Sequence, residues 1–246
     1  MENYVVYHLH TEDSLVDSCT KYFDYIELCK KYGIPAISFT EHGKIINWTE
    51  KWNACKEAGI KYMHGVEIYL TEQLFPKVRD NYHTILIAKN YEGVLELNEL
   101  VSMSFDEEHF YYNNRLSFEE FLGISDNIIS TSACLKSPLR YIPEDNPVFD
   151  MLVDKYDFLE IQAHNVPEQV EFNKRLLEIS KAKNKPLIAG TDTHSSSKYK
   201  AECRKVLLAA KGMTYGDEDT FDLSFKTRDE LEEMFQVLRI RKEDLA

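Results

Sequence analysis

Two short patterns in the chain set metal-binding side chains two residues apart: His8-Leu9-His10 and Asp192-Thr193-His194. Side chains of an extended segment alternate between faces, so both members of each pair project the same way and can reach one divalent ion. Further donors stand elsewhere: His42 in Glu41-His42-Gly43, Glu67 in Gly65-Val66-Glu67, then His83 and Cys134. Either two-residue pattern alone reads more readily as buried, hydrogen-bonded polar residues. The weight lies in the combination. Imidazole and carboxylate donors suit Zn2+, Mn2+ or Fe2+, and a thiolate tilts one position toward Zn2+. Several such ions held together perform hydrolysis, activating water and stabilising a leaving oxygen.

These residues need elements to hold them. Seven runs rich in β-branched and aromatic residues read as strands: Tyr4 to His8, Ala36 to Thr40, Lys61 to Tyr69, Thr84 to Ala88, Asn127 to Ser132, Phe158 to Gln162 and Pro186 to Thr191. Helical segments or loops separate them. Ser117 with Glu120 and Thr227 with Glu230 form capping boxes, and Asn165 reads as an N-cap ahead of Pro167 and Glu168. Strands alternating with helices predict a parallel sheet, and closing seven of them gives an α/β barrel. The candidate ligands fall in or beside the runs, and in a parallel barrel the strand C-termini converge on one mouth. Seven of the eight histidines lie in or next to these runs, whereas purely structural histidines should scatter. Residues 104–116 are the least regular stretch and are expected to form a long excursion.

Composition narrows the possibilities. The chain has 246 residues, 43% of them hydrophobic and 29% charged, which fits a globular protein and not a disordered one. It has no run of 18 apolar residues and no basic segment leading into a short apolar one near Met1, so no membrane partner and a cytoplasmic location are expected. Its five cysteines are odd in number, with no C-x-x-C pair, as in a reducing compartment. The net charge of −13 argues against an unaided grip on long DNA, since Lys and Arg supply most phosphate contacts. Three divalent ions would leave the chain acidic, yet they would be the largest local charges in the site.

Seven segments carry a family resemblance: HLHTEDSLVDS, ISFTEHG, AGIKYMHGVEIYL, HTILIAKNYEGVLELNELVS, IISTSACL, FLEIQAHN and PLIAGTDTHSS. The chain resembles, over nearly its whole length, the PHP (polymerase and histidinol phosphatase) domain of bacterial DNA polymerase III alpha subunits. The resemblance implies a distorted (β/α)7 barrel, similar to a TIM barrel, with residues 1–246 as one PHP domain. It implies two to three divalent ions on nine positions: His8, His10, Asp17, His42, Glu67, His83, Cys134, Asp192 and His194. Apart from the resemblance, Asp17 reads as a helix N-cap before Tyr22. One ion would use His8, His10 and Asp192, with Glu67 bridging to another on His83 and Cys134; Asp17, His42 and His194 would bind the third. Asp192, His194 and Glu67 are read as catalytic. The family usually has Asp where Glu41 stands, and an Asn-Asp-Val-His-like segment where this chain has Thr191 to His194; neither departure touches a ligand.

The leading functional reading is a metal-dependent phosphoesterase working as a 3′-5′ exonuclease on a single-stranded DNA 3′ end. A small-molecule phosphatase of the histidinol phosphatase type is one alternative. A metal-stabilised, non-catalytic scaffold docked on polymerase domains or replication proteins is another. The chain leaves no room for the palm, thumb and fingers of a polymerase, so it is either a free-standing relative or the N-terminal part of a longer polymerase-like chain. His164, Lys44 and Arg140 are candidate substrate contacts. His109 reads as a solvated loop residue, Tyr111-Tyr112 as a packing anchor able to stack on a base, and Cys19, Cys29, Cys55 and Cys203 as packing residues.

Overall fold

A computed structural model describes residues 4–212 and 221–240. Six of the seven strand runs form regular strands: β1 (Ala36–Phe39), β2 (Lys61–Thr71), β3 (Tyr82–Ala88), β5 (Ile128–Thr131), β6 (Leu159–Gln162) and β7 (Leu187–Gly190). An added three-residue strand, β4 (Arg115–Ser117), lies at the end of the excursion and pairs with β2. The remaining run, Tyr4 to His8, forms no regular strand. It touches its neighbours through single bridges, Val6 to Ile37 and Leu9 to Thr193.

The main sheet has the order β1-β2-β3-β5, and β6 pairs with β7 in a second sheet. A bridge from Thr131 to Phe158 joins the two, and the bridges of residues 6 and 9 complete the circuit. The ring is thus stitched by single bridges at three places, which is the form its distortion takes.

One feature of the parallel expectation is corrected. β3 runs antiparallel to both β2 and β5. A parallel neighbour needs a crossover of a dozen or more residues, usually a helix. Only residues 72–81 connect β2 to β3, without a helix, so the chain turns straight back. The reversal brings His83, which opens β3, to the mouth reached by the C-terminal parts of the other strands.

Period-two alternation sorts the strand residues. Val66, Ile68, Leu70 and Leu86 face outward into the main core beneath the helices. Ile85 and Ile87 face inward and meet Tyr7 and Ala133, with Met63, Ile129 and Ile188 packed around them. That apolar plug floors the barrel. Glu67 and His83 lie on the same strand faces as Met63 and Ile85, but farther toward the mouth.

The helices are α1 (Tyr22–Tyr32), α2 (Trp48–Ala58), α3 (Tyr91–Met103), α4 (Phe118–Leu122), α5 (Pro138–Tyr141), α6 (Pro147–Lys155), α7 (Pro167–Lys183), α8 (Lys198–Ala210) and α9 (Arg228–Val237). Both capping boxes form, at α4 and α9. Asn165 is not the cap of α7: Val166 is, and Pro167 takes the first helical position, where its missing N–H costs nothing. Asp17 does not cap α1, whose N-cap is Lys21.

Candidate metal centre

Among the described residues, two groups bring ligand atoms within 4.8 Å of one another: His8, His10, Glu67 and Asp192, and His10, His42 and His194. His10 belongs to both. Its ring stacks on His42 at 4.0 Å and on His194 at 4.4 Å, so three imidazoles form one layer. The Nε2 of His8 lies 2.8 Å from Glu67 and 3.1 Å from Asp192. Asp17 Oδ2 lies 2.8 Å from His42 Nε2 and 2.9 Å from His194 Nε2. On the far side, His83 Nδ1 contacts Glu67 Oε1 and sits 3.6 Å from the Cys134 sulfur. All nine positions named from the sequence therefore meet at one mouth.

Local backbone form aims several of these groups. Val16, Ala133 and Asp192 have φ of 80°, 55° and 45°, left-handed conformations uncommon outside glycine and, for the β-branched Val16, adopted only under constraint. Each is a candidate ligand position or directly precedes one. Gly43, after His42, has φ 62°, and a Cβ there would lie 2.5 Å from Asn114 Oδ1. Its carbonyl accepts a 2.7 Å hydrogen bond from Asn114 Nδ2, tying the end of the excursion to the mouth.

The electrostatics are those of interleaved acids and imidazoles. Burial would raise the Glu67 carboxyl, but His83 and His42 hold it well below the usual carboxylate range. Asp192 is lowered in the same way, burial being outweighed by His8 and His194. Burial opposes charge on His8, yet Glu160 and Asp192 raise its pKa well above the ordinary imidazole value. For Asp17, burial is outweighed by His194 and His42. Four buried polar atoms in the cluster, His10 Nε2, His42 Nδ1, Glu67 Oε1 and Asp192 Oδ1, approach acid or imidazole neighbours at ion-pair distance but without hydrogen-bond geometry. Buried polar atoms are normally satisfied, so converging ligand-type atoms of this kind are what a cation site leaves when only protein atoms are counted. The donor set fits divalent transition metals.

Around the candidate ligands lie three residues, Arg204, Glu41 and Glu160, to which the sequence assigned no role in the site. The Arg204 guanidinium contacts Asp17 Oδ1, leaving Oδ2 to the two histidines. Glu41, 1% exposed, accepts from the Thr11 and Ser14 hydroxyls and pairs with Lys51 at 2.8 Å. Burial would raise its pKa, but Lys51 and His10 hold it at about 2. Glu160 stands behind His8 at 2.7 Å. Glu160 carried no spacing signal, because His8 lies 152 positions away in the sequence.

A cavity of about 570 Å³ opens over the cluster, and Lys44 and Lys136 line it. Phe105, Phe110 and Tyr112 line the same cavity and remain 45–62% exposed. The exposed Arg79 stacks on the Tyr112 ring at 4.3 Å. Arg140 lies outside this lining; its guanidinium donates to the Leu135 carbonyl and stacks on Tyr141. His164 is 6% exposed, stacked on Phe221 at 4.8 Å, and also absent from the lining. Burial lowers its pKa to about 4. His109 is not solvated: it is buried and bonded to Glu120 at 2.8 Å, part of the anchoring of the excursion on α4.

Comparison with known proteins gives a consistent picture. The PHP domain family model matches residues 7–182. The DNA polymerase III alpha subunit of Aquifex aeolicus is 32% identical over 228 residues, covering 85% of this chain and 20% of that protein. That of Borreliella burgdorferi is 30% identical over 252 residues, covering 94% and 22%. The chain thus spans about a fifth of the length of these curated relatives. Among solved structures, a Bifidobacterium adolescentis protein assigned as a metal-dependent phosphoesterase matches with a TM-score of 0.52 at 16% identity, over 83% of this chain and 95% of that one. Endonuclease Q, solved with a 27-mer duplex bearing an abasic lesion at its active site, matches with a TM-score of 0.51 at 15% identity, over 86% and 56%.

Proposed function

The chain belongs to the PHP family, and from that premise we propose that it hydrolyses phosphoesters with bound divalent metals, acting on the 3′ end of a single DNA strand. The reading rests above all on the convergence of nine ligand-type side chains, four of whose buried atoms face one another without hydrogen-bond geometry. In it, His8, His10 and Asp192 would hold one ion, His83 and Cys134 a second with Glu67 serving both, and Asp17, His42 and His194 would hold a third. Zn2+, Mn2+ and Fe2+ all suit these donors. Such ions supply Lewis acidity toward a phosphoryl oxygen and acidify water.

The protein's own part is to bind and orient. Lys44 and Lys136 place positive charge beside the cluster, where a substrate phosphate would lie. Phe105, Phe110 and Tyr112 keep apolar ring faces in water at the same mouth, a costly arrangement for a domain that handles only small phosphates. Base stacking on aromatic rings is tolerant of sequence and suits an end-directed nuclease. Asp192, Glu67 and His194 sit nearest the reacting group in this reading. In this reading residues 1–246 act as one domain, and the likeness to polymerase subunits supports a cytoplasmic setting with replication proteins. Among the described residues, no helix is long and apolar enough to cross a membrane.

The net charge of −13 favours a second reading, a phosphatase for small molecules. One experiment separates the two. The purified chain, supplied with Mn2+ or Zn2+, is assayed on 3′-labelled single-stranded DNA and on histidinol phosphate, with Asp192→Asn prepared alongside. Release of 3′ nucleotides by wild type alone supports the nuclease. Activity confined to histidinol phosphate supports the phosphatase. Equal rates in both preparations on both substrates leave a metal-stabilised scaffold.

A further inference from the structure

Glu160 is completely buried inside the barrel, on the inward face of β6. A carboxylate there is expensive unless it is paired and its oxygens are satisfied. Its Oε1 lies 2.7 Å from His8 Nδ1 and accepts from Gln162 Nε2 at 2.8 Å, while Oε2 accepts from the Thr131 hydroxyl at 3.0 Å. The barrel is shaped around this group. Across the paired strand, Gly190 has no side chain, and a Cβ there would lie 2.1 Å from Glu160 Oε1 and 2.3 Å from its carboxyl carbon. Three strands and the first segment thus cooperate to hold one carboxylate against one ring nitrogen.

The opposite edge of that ring faces the ligand cluster, with Nε2 between Glu67 and Asp192. An imidazole that keeps a proton on Nδ1 has its Nε2 lone pair free for a cation, and an acceptor at Nδ1 both fixes that form and makes the ring more basic. We propose that Glu160 is a positioning residue of the metal centre, orienting His8 and setting the affinity of the ion held with His10 and Asp192, and that Gly190 exists to admit it. The proposal rests on the metal reading above. Glu160 touches no ion and no substrate; it acts through His8.

Three variants test it: Glu160→Leu, which removes the acceptor; Glu160→Gln, which keeps an acceptor oxygen without the charge; and Gly190→Ala, which displaces the carboxylate but leaves Glu160 in place. Metal binding is read by titrating the metal-free proteins with Mn2+ against a chromophoric chelator, with folding followed by circular dichroism. Glu160→Leu and Gly190→Ala should weaken one Mn2+ site by about 10- to 100-fold, the range found for lost partners of metal-bound histidines. Glu160→Gln should recover part of the loss. A merely structural residue would lower the melting temperature and leave the Mn2+ affinities of the folded protein unchanged, and that result overturns the proposal. If neither disruptive variant folds, the wild type decides: histidine 15N spectra of the Zn2+-loaded protein should show His8 protonated at Nδ1 and coordinated through Nε2. The reverse arrangement overturns the proposal. A wild type that takes up neither ion sinks the metal reading as well, whereas metal-binding wild type with unaltered Glu160→Leu sinks this inference alone.

Discussion

Asp192 is the residue on which the proposed chemistry most depends. Its buried Oδ1 faces both His8 and His10 at ion-pair distance but without hydrogen-bond geometry. Asp192→Asn keeps the shape and removes the charge that balances a cation, so hydrolysis should fall by roughly two orders of magnitude or more with the fold intact. Parallel rates and circular dichroism spectra of the two proteins check this. His164 calls for a different measurement. Its folded pKa of about 4 lies below the ordinary 6.5, because burial disfavours the charged ring. Above pH 6.5 the folded and unfolded chains both carry it neutral. As pH falls toward 4 the unfolded chain binds a proton that the folded one refuses, so stability is lost across that window, by on the order of 3 kcal/mol. In chelator, urea unfolding of wild type and His164→Gln at pH 7 and pH 4 should show the wild-type advantage shrinking as pH falls. A constant difference would mean that the ring titrates alike in both states.

At the scale of elements, the excursion between α3 and β4 shapes the mouth. Asn114 anchors it to Gly43 and to the Ser104 hydroxyl, and Lys77 from the β2–β3 connection donates to the carbonyls of Glu107 and Phe110. This holds Phe110 and Tyr112 in place with their rings partly exposed, Arg79 lying over Tyr112. The double variant Phe110→Ala, Tyr112→Ala should raise KM for a short single-stranded oligonucleotide by about tenfold, the loss of one stacked base, and leave hydrolysis of bis(4-nitrophenyl) phosphate unchanged. Equal losses on both substrates would mean that the rings support the metal cluster and not a base. The same excursion continues into α4, whose capping box is complete: Ser117 Oγ accepts from the Glu120 N–H, and the Glu120 carboxylate accepts from the Ser117 N–H. Ser117→Ala should cost about 1 kcal/mol of stability, measured by denaturant unfolding.

For the whole molecule, the purified protein should carry two to three equivalents of transition metal, and elemental analysis after loading with zinc, manganese or iron checks the count. Chelation should lower the melting temperature by several degrees, because an ion that binds only the folded state stabilises it. The drop is limited by contacts within the site. Asp17, Glu67 and Asp192 do not face one another bare; each meets at least two histidines. Activity on short single strands should weaken with salt less steeply than for a basic nuclease, since an acidic chain with few cations at the mouth releases few counterions.

Four of the candidate ligand residues were legible in the sequence for a local reason. His8 with His10, and Asp192 with His194, are two positions apart, and an extended backbone turns that spacing into a shared face whatever surrounds it. The strand runs were legible in the same way, six of seven forming strands, because β-branched density is a local property. The first run failed as a regular strand because its pairing depends on neighbours, and it received only isolated bridges. The direction of β3 was likewise decided by the length of its connection and by its partners. Glu160 and Arg204 lay outside any local signal: they meet His8 and Asp17 across 152 and 187 positions of sequence. Spacing along the chain marked His8, His10, Asp192 and His194 as side chains able to share a cation, whereas Asp17 carried no such signal and came only from the family resemblance. Which partner stands behind each of those side chains is fixed only when distant segments close into the ring, since a buried hydrogen bond depends on distance through space and carries no period along the chain.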